Sequence, residues 1–270
     1  DAIFMAGGTL VMRDVNAGVT ATRIVRSSDP ALADIRLTGD GVTIGAGVTM
    51  AAITTHRDVT FLAPVARAVG GPQVRNMATV GGNLFAPHPY GDFAVALLSL
   101  GARVNLAGQG GAARPLADVL RDRSRAALGT SVQVPRPQAP DDFAFLKVSR
   151  IRPKGVSVLS IAAHLPRQGG RIRGARVAFG AMGPMPLQAV AVERVLEGQA
   201  PDPSTGTVIV PIYQTSAYVF EDAQDAADKF ALKKFGNVYS RLTNPTVSAL
   251  EGRADAVALQ AVCDGEITWQ

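Results

Sequence analysis

Two glycine pairs set the strongest limits on the backbone conformations of this sequence. One lies in Ala6-Gly7-Gly8-Thr9 and the other in Thr79-Val80-Gly81-Gly82-Asn83. A glycine pair lets the backbone approach a ligand closely and turn its N–H groups outward, because no Cβ is in the way. Two such loops predict a site in which a pyrophosphate binds between them, since clustered amides form an anion-binding concavity. The alternative is that each pair is a plain turn, the ordinary use of glycine in a chain that has 28 of them.

Length and charge limit the classes of protein that the chain fits. Its 270 residues predict about two domains, and 47% hydrophobic residues are enough for a sizeable core. The net charge of +5 comes from scattered side chains, with no long basic run. This pattern argues against nucleic acid as a partner, and a bound dinucleotide or an acidic partner surface suits it better.

Metal and membrane sites find little support in the sequence. The single cysteine, Cys263, excludes an internal disulfide and an all-cysteine iron–sulfur or zinc site. His56, His88 and His164 are spread along the chain, which favours surface or core positions over metal ligation. No apolar run reaches the roughly 18 residues of a membrane span, and no signal peptide is visible. We therefore expect a cytoplasmic protein without a membrane partner.

In the first half of the chain, patterns typical of strands alternate with patterns typical of helices. Ile3-Phe4-Met5 is predicted to be a buried strand, followed by strands over 42–47 and 102–106. Thr49 is predicted to cap a helix, a second helix is expected over 62–69, and Asp92 is predicted to be the N-cap of a helix over 93–100.

Proline-rich stretches predict two boundaries, at 135–140 and at 199–206. Between them, three strand-like runs over 143–148, 156–161 and 173–180 predict an antiparallel meander, followed by a helix over 187–196. Beyond 206, Asp222 is predicted to cap a helix that ends near Phe235, and Asn244-Pro245-Thr246 to start another. The fold class predicted from these elements is α+β.

Residues 1 to about 198 resemble the FAD-binding subunit of molybdenum hydroxylases, the family of xanthine dehydrogenase and carbon monoxide dehydrogenase. The resemblance rests on 73–84, on Ala86-Pro87-His88-Pro89-Tyr90-Gly91-Asp92, on the helix before Gly101, on Phe145-Leu146-Lys147-Val148-Ser149-Arg150 and on 174–184. It implies a two-subdomain, PCMH-type FAD-binding domain over 1–138, truncated at its N-terminus. A truncated C-terminal flavin-domain-like α+β domain, a three-stranded antiparallel sheet with a helix, is implied over 141–198.

The resemblance also implies the residues that contact FAD. The first pyrophosphate loop would contain Ala6, Gly7, Gly8, Thr9 and Leu10, and the second would contain Thr79, Val80, Gly81, Gly82 and Asn83. Asp92 matches an acidic residue that contacts the cofactor, and Lys147 matches a lysine near the flavin, where a cation stabilises anionic reduced flavin. The alternatives are that Asp92 is a plain helix cap and that Lys147 is a solvated strand residue.

Residues 199–270 resemble a different family, the pyridoxal-phosphate (PLP) enzymes of cysteine and methionine metabolism. Residues 210–220 and 235–246 look like the N-terminal arm of O-acetylhomoserine sulfhydrylase, in a tail that we expect to be mostly helical or irregular. In that family Tyr239 and Arg241 would reach the cofactor phosphate of a neighbouring subunit, where the arginine fork suits phosphate oxygens.

The sequence therefore supports one leading hypothesis and two alternatives. In the first, the chain binds FAD and passes electrons from iron–sulfur centres on a [2Fe–2S] partner subunit to NAD or another acceptor, while a molybdopterin-binding large subunit carries out the hydroxylation. No catalytic nucleophile or metal site is required, and no motif for one is found. The alternatives are a PLP-dependent transsulfuration fragment and a fusion product in which neither site is complete.

Overall fold

The computed structural model describes residues 2–39, 41–108, 112–122, 128–151, 155–200, 221–231 and 233. The chain divides into two compact units, one formed by residues 1–168 and 172–197 and the other by residues 169–171 and 198–270. The predicted boundary between 138 and 141 lies inside the first unit and stays a prediction.

The first unit begins with a small β-α-β segment. Strand β1 (Ala2–Phe4) is followed by helix α1 (Val11–Asn16) and strand β2 (Arg23–Val25), and the two strands pair in parallel. The prediction that the first strand is buried was wrong, since Phe4 is 40% exposed. The reason is that β1 pairs with β2 alone in a two-stranded sheet, so its side chains are not enclosed between layers.

A five-stranded antiparallel sheet forms the centre of the first unit. It contains β3 (Ile35–Thr38), β4 (Gly41–Gly45), β5 (Arg103–Leu106), β6 (Arg114–Pro115) and β7 (Gly129–Pro135), in the order β3-β4-β7-β5-β6. Inward residues alternate along its strands, as Val132 and Val134 do on β7, and are almost completely buried. This is the period of two that a sheet with one face against the core requires.

Six helices lie between the strands of this sheet in the sequence: α2 (Met50–Thr55), α3 (Ala63–Ala68), α4 (Pro72–Met77), α5 (Val80–Leu84), α6 (Asp92–Ser99) and α7 (Leu116–Arg121). Short 3₁₀ segments cover Pro30–Ala33, Arg57–Leu62 and Pro140–Asp142. The predicted cap at Thr49 is confirmed, because its hydroxyl accepts a hydrogen bond from Ala52 N–H at 3.2 Å. All eight residues of α6 are buried, since the helix packs against α3, α5 and α7 on one side and against a second sheet on the other.

That second sheet is antiparallel and has four strands, one more than predicted. Its strands are β8 (Phe143–Ser149), β9 (Ser157–His164), β12 (Arg176–Gly180) and β13 (Leu187–Gln188), in the order β13-β12-β9-β8, and β10 (Arg167–Gln168) and β11 (Arg171–Ile172) lie between β9 and β12 in sequence. The helix predicted from residue 187 begins only at Val190, as α8 (Val190–Leu196). The prediction was wrong there because Leu187 and Gln188 pair with Phe179 and Ala178 as an extra strand.

In the second unit the structure describes one helix, α9 (Ala223–Phe230). Its predicted cap is confirmed, because the Asp222 carboxylate accepts a hydrogen bond from Asp225 N–H at 2.7 Å. The helix ends five residues before the predicted Phe235: Ala231 N–H closes the last turn by donating to Ala227 O at 2.9 Å, and Lys233 N–H donates to Asp228 O, five residues earlier, at 2.8 Å. The helix start predicted at Asn244-Pro245-Thr246 lies outside the described residues.

Candidate functional site

The two glycine loops of the sequence lie next to each other in the first unit. The first loop (residues 5–10) connects β1 to α1, and the second loop (residues 77–83) contains the end of α4, the turn at Ala78 and Thr79, and most of α5. The two loops meet at Gly7, where an added Cβ would lie 1.6 Å from the carbonyl oxygen of Met77 and 3.3 Å from Cα of Ala78. Glycine is therefore required at position 7 by backbone-to-backbone contact between the loops.

The first loop presents backbone N–H groups that the protein itself does not use. Gly8 has a φ of +75°, and its carbonyl accepts a hydrogen bond from Met12 N–H at 2.9 Å. In the part of the chain that the structure describes, the N–H groups of Gly7, Gly8, Thr9 and Leu10 have no acceptor. Consecutive amides of this kind form a concavity that suits an anion.

The second loop differs from the sequence prediction, because most of its backbone amides already have acceptors. Four N–H groups donate within the protein: Val80 to Val48 O at 2.9 Å, Gly81 to Ala46 O at 2.8 Å, Gly82 to Thr79 Oγ1 at 3.1 Å and Asn83 to Thr79 O at 3.0 Å. Gly81 has a packing reason of its own, since an added Cβ would lie 2.9 Å from Cβ of Ala46. Two donors of Thr79 remain available: its hydroxyl hydrogen, whose oxygen serves as the cap acceptor, and its backbone N–H, which has no acceptor among the described residues.

Asp92 and Lys147 form a buried ion pair that joins α6 to the second sheet. Lys147 Nζ lies 2.8 Å from Asp92 Oδ2 and donates to the carbonyl of Ala68 at 3.0 Å. The other carboxylate oxygen, Asp92 Oδ1, accepts from Ser157 Oγ at 2.6 Å. Both charged side chains are nearly enclosed, with 10% of Asp92 and 13% of Lys147 exposed.

These contacts overturn two of the sequence interpretations. Asp92 is not the helix cap: Gly91, with a φ of 97°, occupies that position, and Asp92 is the first residue of α6. Its carboxylate is therefore available to Lys147 and Ser157. Lys147 is likewise not a solvated strand residue. A buried charge is tolerated when it is paired and hydrogen-bonded, and both conditions hold here.

Sequence reasoning missed three groups around this pair: Ser157, the carbonyl of Ala68 and Ser160. Ser160 lies opposite Lys147 in the β8–β9 register, and its hydroxyl is buried without a partner among the described residues. Ser160 also lines a small cavity with Asp92, Tyr90 and Met185. Serine in a strand carries no sequence signal for such a role, because the contact depends on tertiary packing.

Tyr239 and Arg241, the residues predicted to contact a PLP phosphate, lie outside the described residues. Within the described ranges there is no group of three or more His, Cys, Asp or Glu residues that could hold a metal ion. None of the helices in these ranges has the length and hydropathy that a membrane crossing requires.

Comparison with known proteins connects the two parts of the chain to two families. A family model described as the FAD binding domain in molybdopterin dehydrogenase matches residues 1–137. A second model, described as Cys/Met metabolism PLP-dependent enzyme, matches residues 191–263. Both resemblances inferred from the sequence are confirmed.

Solved structures share the fold of most of the chain. Quinoline 2-oxidoreductase from Pseudomonas putida 86 superposes with a TM-score of 0.66 and 25% identity, covering 76% of this chain and 75% of that one. Carbon monoxide dehydrogenase from Hydrogenophaga pseudoflava gives a TM-score of 0.68 and 24% identity, with 75% of each chain covered. These neighbours confirm the predicted α+β fold class.

Curated relatives match only a short part of the chain. O-acetyl-L-homoserine sulfhydrylase from Leptospira meyeri is 49% identical over 73 residues, which is 26% of this chain and 16% of the relative. O-acetyl-L-homoserine sulfhydrylase 1 from Thermus thermophilus is 53% identical over 60 residues, or 22% and 14%. The chain thus spans about a sixth of the length of these relatives. The FAD-binding model, in contrast, covers half of the sequence. The chain therefore belongs to the family of FAD-binding domains in molybdopterin dehydrogenases.

Proposed function

We propose that this chain is the FAD-binding electron-transfer subunit of a molybdenum hydroxylase. The observation that carries the proposal is the first loop, where four consecutive N–H groups have no acceptor among the described residues beside a second loop that Gly7 contacts directly. Family membership supports FAD as the ligand, and this geometry supports the first loop as the binding site that we propose for its phosphates.

The donors of the two loops fit a pyrophosphate in different ways. The amides of Gly7, Gly8, Thr9 and Leu10 can donate to phosphate oxygens without breaking any existing hydrogen bond. From the second loop, the hydroxyl of Thr79 can donate its hydrogen while it still accepts from Gly82 N–H. The residues Val80, Gly81, Gly82 and Asn83 then act mainly by holding this loop in place, which narrows the prediction made from the sequence.

Lys147 is the group that we propose to act on the flavin itself. Bound FAD supplies the electron-transfer chemistry, and the protein supplies orientation and electrostatics. The ammonium group of Lys147 is fixed by Asp92 and by the carbonyl of Ala68, so two of its three hydrogens are assigned. The remaining hydrogen and the charge would favour a reduced, anionic ring over a neutral one.

The partners that we propose rest on the solved structures similar to this chain and on its cysteine content. The carbon monoxide dehydrogenase neighbour is a molybdenum-cofactor enzyme by its description. A single cysteine cannot form a four-cysteine cluster. We propose that a [2Fe–2S] subunit delivers electrons to this chain, that a molybdopterin-binding large subunit oxidises the substrate, and that NAD or another acceptor removes the electrons.

Absorption spectroscopy of the purified chain tests this function. We expect a yellow protein that releases close to one FAD per chain on heat denaturation, or that regains this stoichiometry when FAD is added. Copurification of the two proposed partner subunits tests the assembly. Colourless protein that FAD does not reconstitute would contradict the proposal.

A second candidate, PLP binding, has one specific observation in its favour, the match of residues 191–263 to PLP-dependent enzymes of Cys/Met metabolism. We propose that any such binding would use Tyr239 and Arg241. A titration with pyridoxal phosphate, followed by its absorbance, tests this candidate directly. A chain that binds neither FAD nor pyridoxal phosphate would be the fusion product without a complete site.

A further inference from the structure

We propose that Ser157 is a positioning residue for Lys147, and that it tunes the reduction potential of the flavin by fixing where the lysine ammonium lies. The inference rests on the proposed function, because it assigns Lys147 to the flavin. It goes beyond that function in naming a neutral hydroxyl on another strand as the group that sets the lysine in place.

The first argument is the register of β8 and β9. Lys147 lies opposite Ser160, and Val148 lies opposite Leu159, but the register then shifts so that Ser149 lies opposite Ser157. Val158 is thereby left out of the pairing. Such an extra residue turns the side chains around it, and bulges of this kind occur next to active sites.

The consequence of this shift is visible in the burial of the residues involved. In an unbroken strand, Ser157 would face the opposite side from Ser160, because side chains alternate with a period of two. Instead Ser157 and Ser160 are both buried, and Val158 is 52% exposed. The irregularity therefore places an apolar side chain in solvent and turns a hydroxyl toward the ion pair.

The second argument is the geometry of the carboxylate. Asp92 Oδ1 accepts from Ser157 at 2.6 Å, and Oδ2 faces Lys147 Nζ at 2.8 Å, so each oxygen has its own donor. A hydroxyl donor to a carboxylate at this distance is a strong, charge-assisted hydrogen bond. It prevents the carboxylate from rotating, and the lysine amine stays within 3.0 Å of the Ala68 carbonyl.

Removal of the Ser157 hydroxyl changes the hydrogen bonding of the Asp92 carboxylate. In a Ser157→Ala variant, Asp92 Oδ1 would be buried and would lose the donor that the structure gives it, a costly state for a charged oxygen. The carboxylate would then rotate so that both oxygens face Lys147, and the amine would move away from Ala68. The cation would be displaced from the place where it favours reduced flavin.

The test uses the full chain as wild type, Ser157→Ala and Ser149→Ala. Ser149 is the matched control, since it lies opposite Ser157 and its hydroxyl donates to Ile151 O at 3.2 Å, beyond the end of β8, and not to the ion pair. The first readout needs no flavin: the rate at which an amine-acylating reagent modifies Lys147 in the FAD-free chain, measured by peptide mass spectrometry. We expect the rate to rise about tenfold in Ser157→Ala and to stay unchanged in Ser149→Ala.

The second readout is the reduction potential of bound FAD, measured by equilibration with reference dyes. We expect Ser157→Ala to weaken binding of reduced relative to oxidised flavin about tenfold, which lowers a two-electron potential by about 30 mV. Unchanged labelling of Lys147 overturns the positioning role, and faster labelling with an unchanged potential overturns the effect on flavin. Failure of the wild-type chain to bind FAD overturns the proposed function, and the labelling result still decides whether Ser157 positions Lys147.

Discussion

Replacing Gly7 with alanine would push the two glycine loops apart. The new Cβ would lie 1.6 Å from the carbonyl oxygen of Met77, whereas real Cβ atoms essentially never come closer than 3.0 Å, so the loops must separate by about 1.4 Å. The atoms that the new Cβ would meet belong to the backbone of Met77 and Ala78, so no side-chain rotation can relieve the contact. Overpacking of this kind costs about 1–3 kcal/mol of unfolding free energy.

The same displacement should weaken FAD binding, because the free amides of the first loop and the hydroxyl of Thr79 would no longer reach one pyrophosphate. A hydrogen bond to a charged group contributes about 1.5–3 kcal/mol, so the loss of one raises the Kd about tenfold or more. We would measure stability by urea unfolding of the FAD-free chain and affinity by quenching of flavin fluorescence.

Gly129→Ala is the matched control for this experiment. Its added Cβ meets Phe85 at 3.4 Å, an ordinary van der Waals distance, and the glycine has no positive φ. We expect this variant to unfold and bind FAD as the wild type does. A Gly7→Ala chain that matched the wild type in both assays would refute the contact between the loops on which the site is built.

Three further predictions concern the neighbouring contacts. Thr79→Ala removes the acceptor of Gly82 N–H and should cost about 1 kcal/mol in urea unfolding, whereas Thr79→Ser keeps the cap. Lys147→Met leaves the Asp92 carboxylate buried without its cation and should cost about 3–5 kcal/mol in thermal unfolding, most of which the added change Asp92→Asn restores. Burial lowers the pKa of His164 below its usual 6.5, so the unfolded chain binds more protons; stability should fall as the pH drops below about 6.5, and His164→Gln should flatten that dependence.

Each of these predictions has an outcome that would contradict it. Equal unfolding midpoints for Thr79→Ala and Thr79→Ser would show that the cap contributes nothing. A Lys147→Met chain as stable as the wild type would mean that the ion pair is not enclosed as described. For His164, the decisive comparison is the slope of the unfolding free energy against pH between pH 7 and pH 5. Equal slopes in the wild type and the variant would show that His164 does not cause the pH dependence.

The sequence predicted those parts of the fold in which a local pattern dictates the structure. Alternation marked β4 and β5, strand-like runs marked β8 and β9, and the polar residues Thr49 and Asp222 marked helix starts that the structure confirms. The glycine pairs predicted a close approach between the backbone and another group. They did not identify that group, which at Gly7 is the Met77 carbonyl.

The remaining features of the site depend on contacts between distant parts of the chain. Asp92 was predicted to be a cap because aspartate before an apolar helix usually is one, and the left-handed Gly91 took that place instead. The acceptors for two of the second-loop amides, those of Val80 and Gly81, are Val48 and Ala46, more than thirty residues earlier. Ser157 faces inward only because the register shifts one residue away. None of these three outcomes has a local sequence signature.

A pair of calorimetric titrations with FAD and riboflavin tests whether the free amides of the first loop bind a pyrophosphate. The two ligands share the isoalloxazine ring, but only FAD carries the phosphates. Two or more charge-assisted hydrogen bonds predict that FAD binds one per chain and at least about 100-fold more tightly than riboflavin. Equal affinities for the two ligands, or no binding of FAD, would contradict the account.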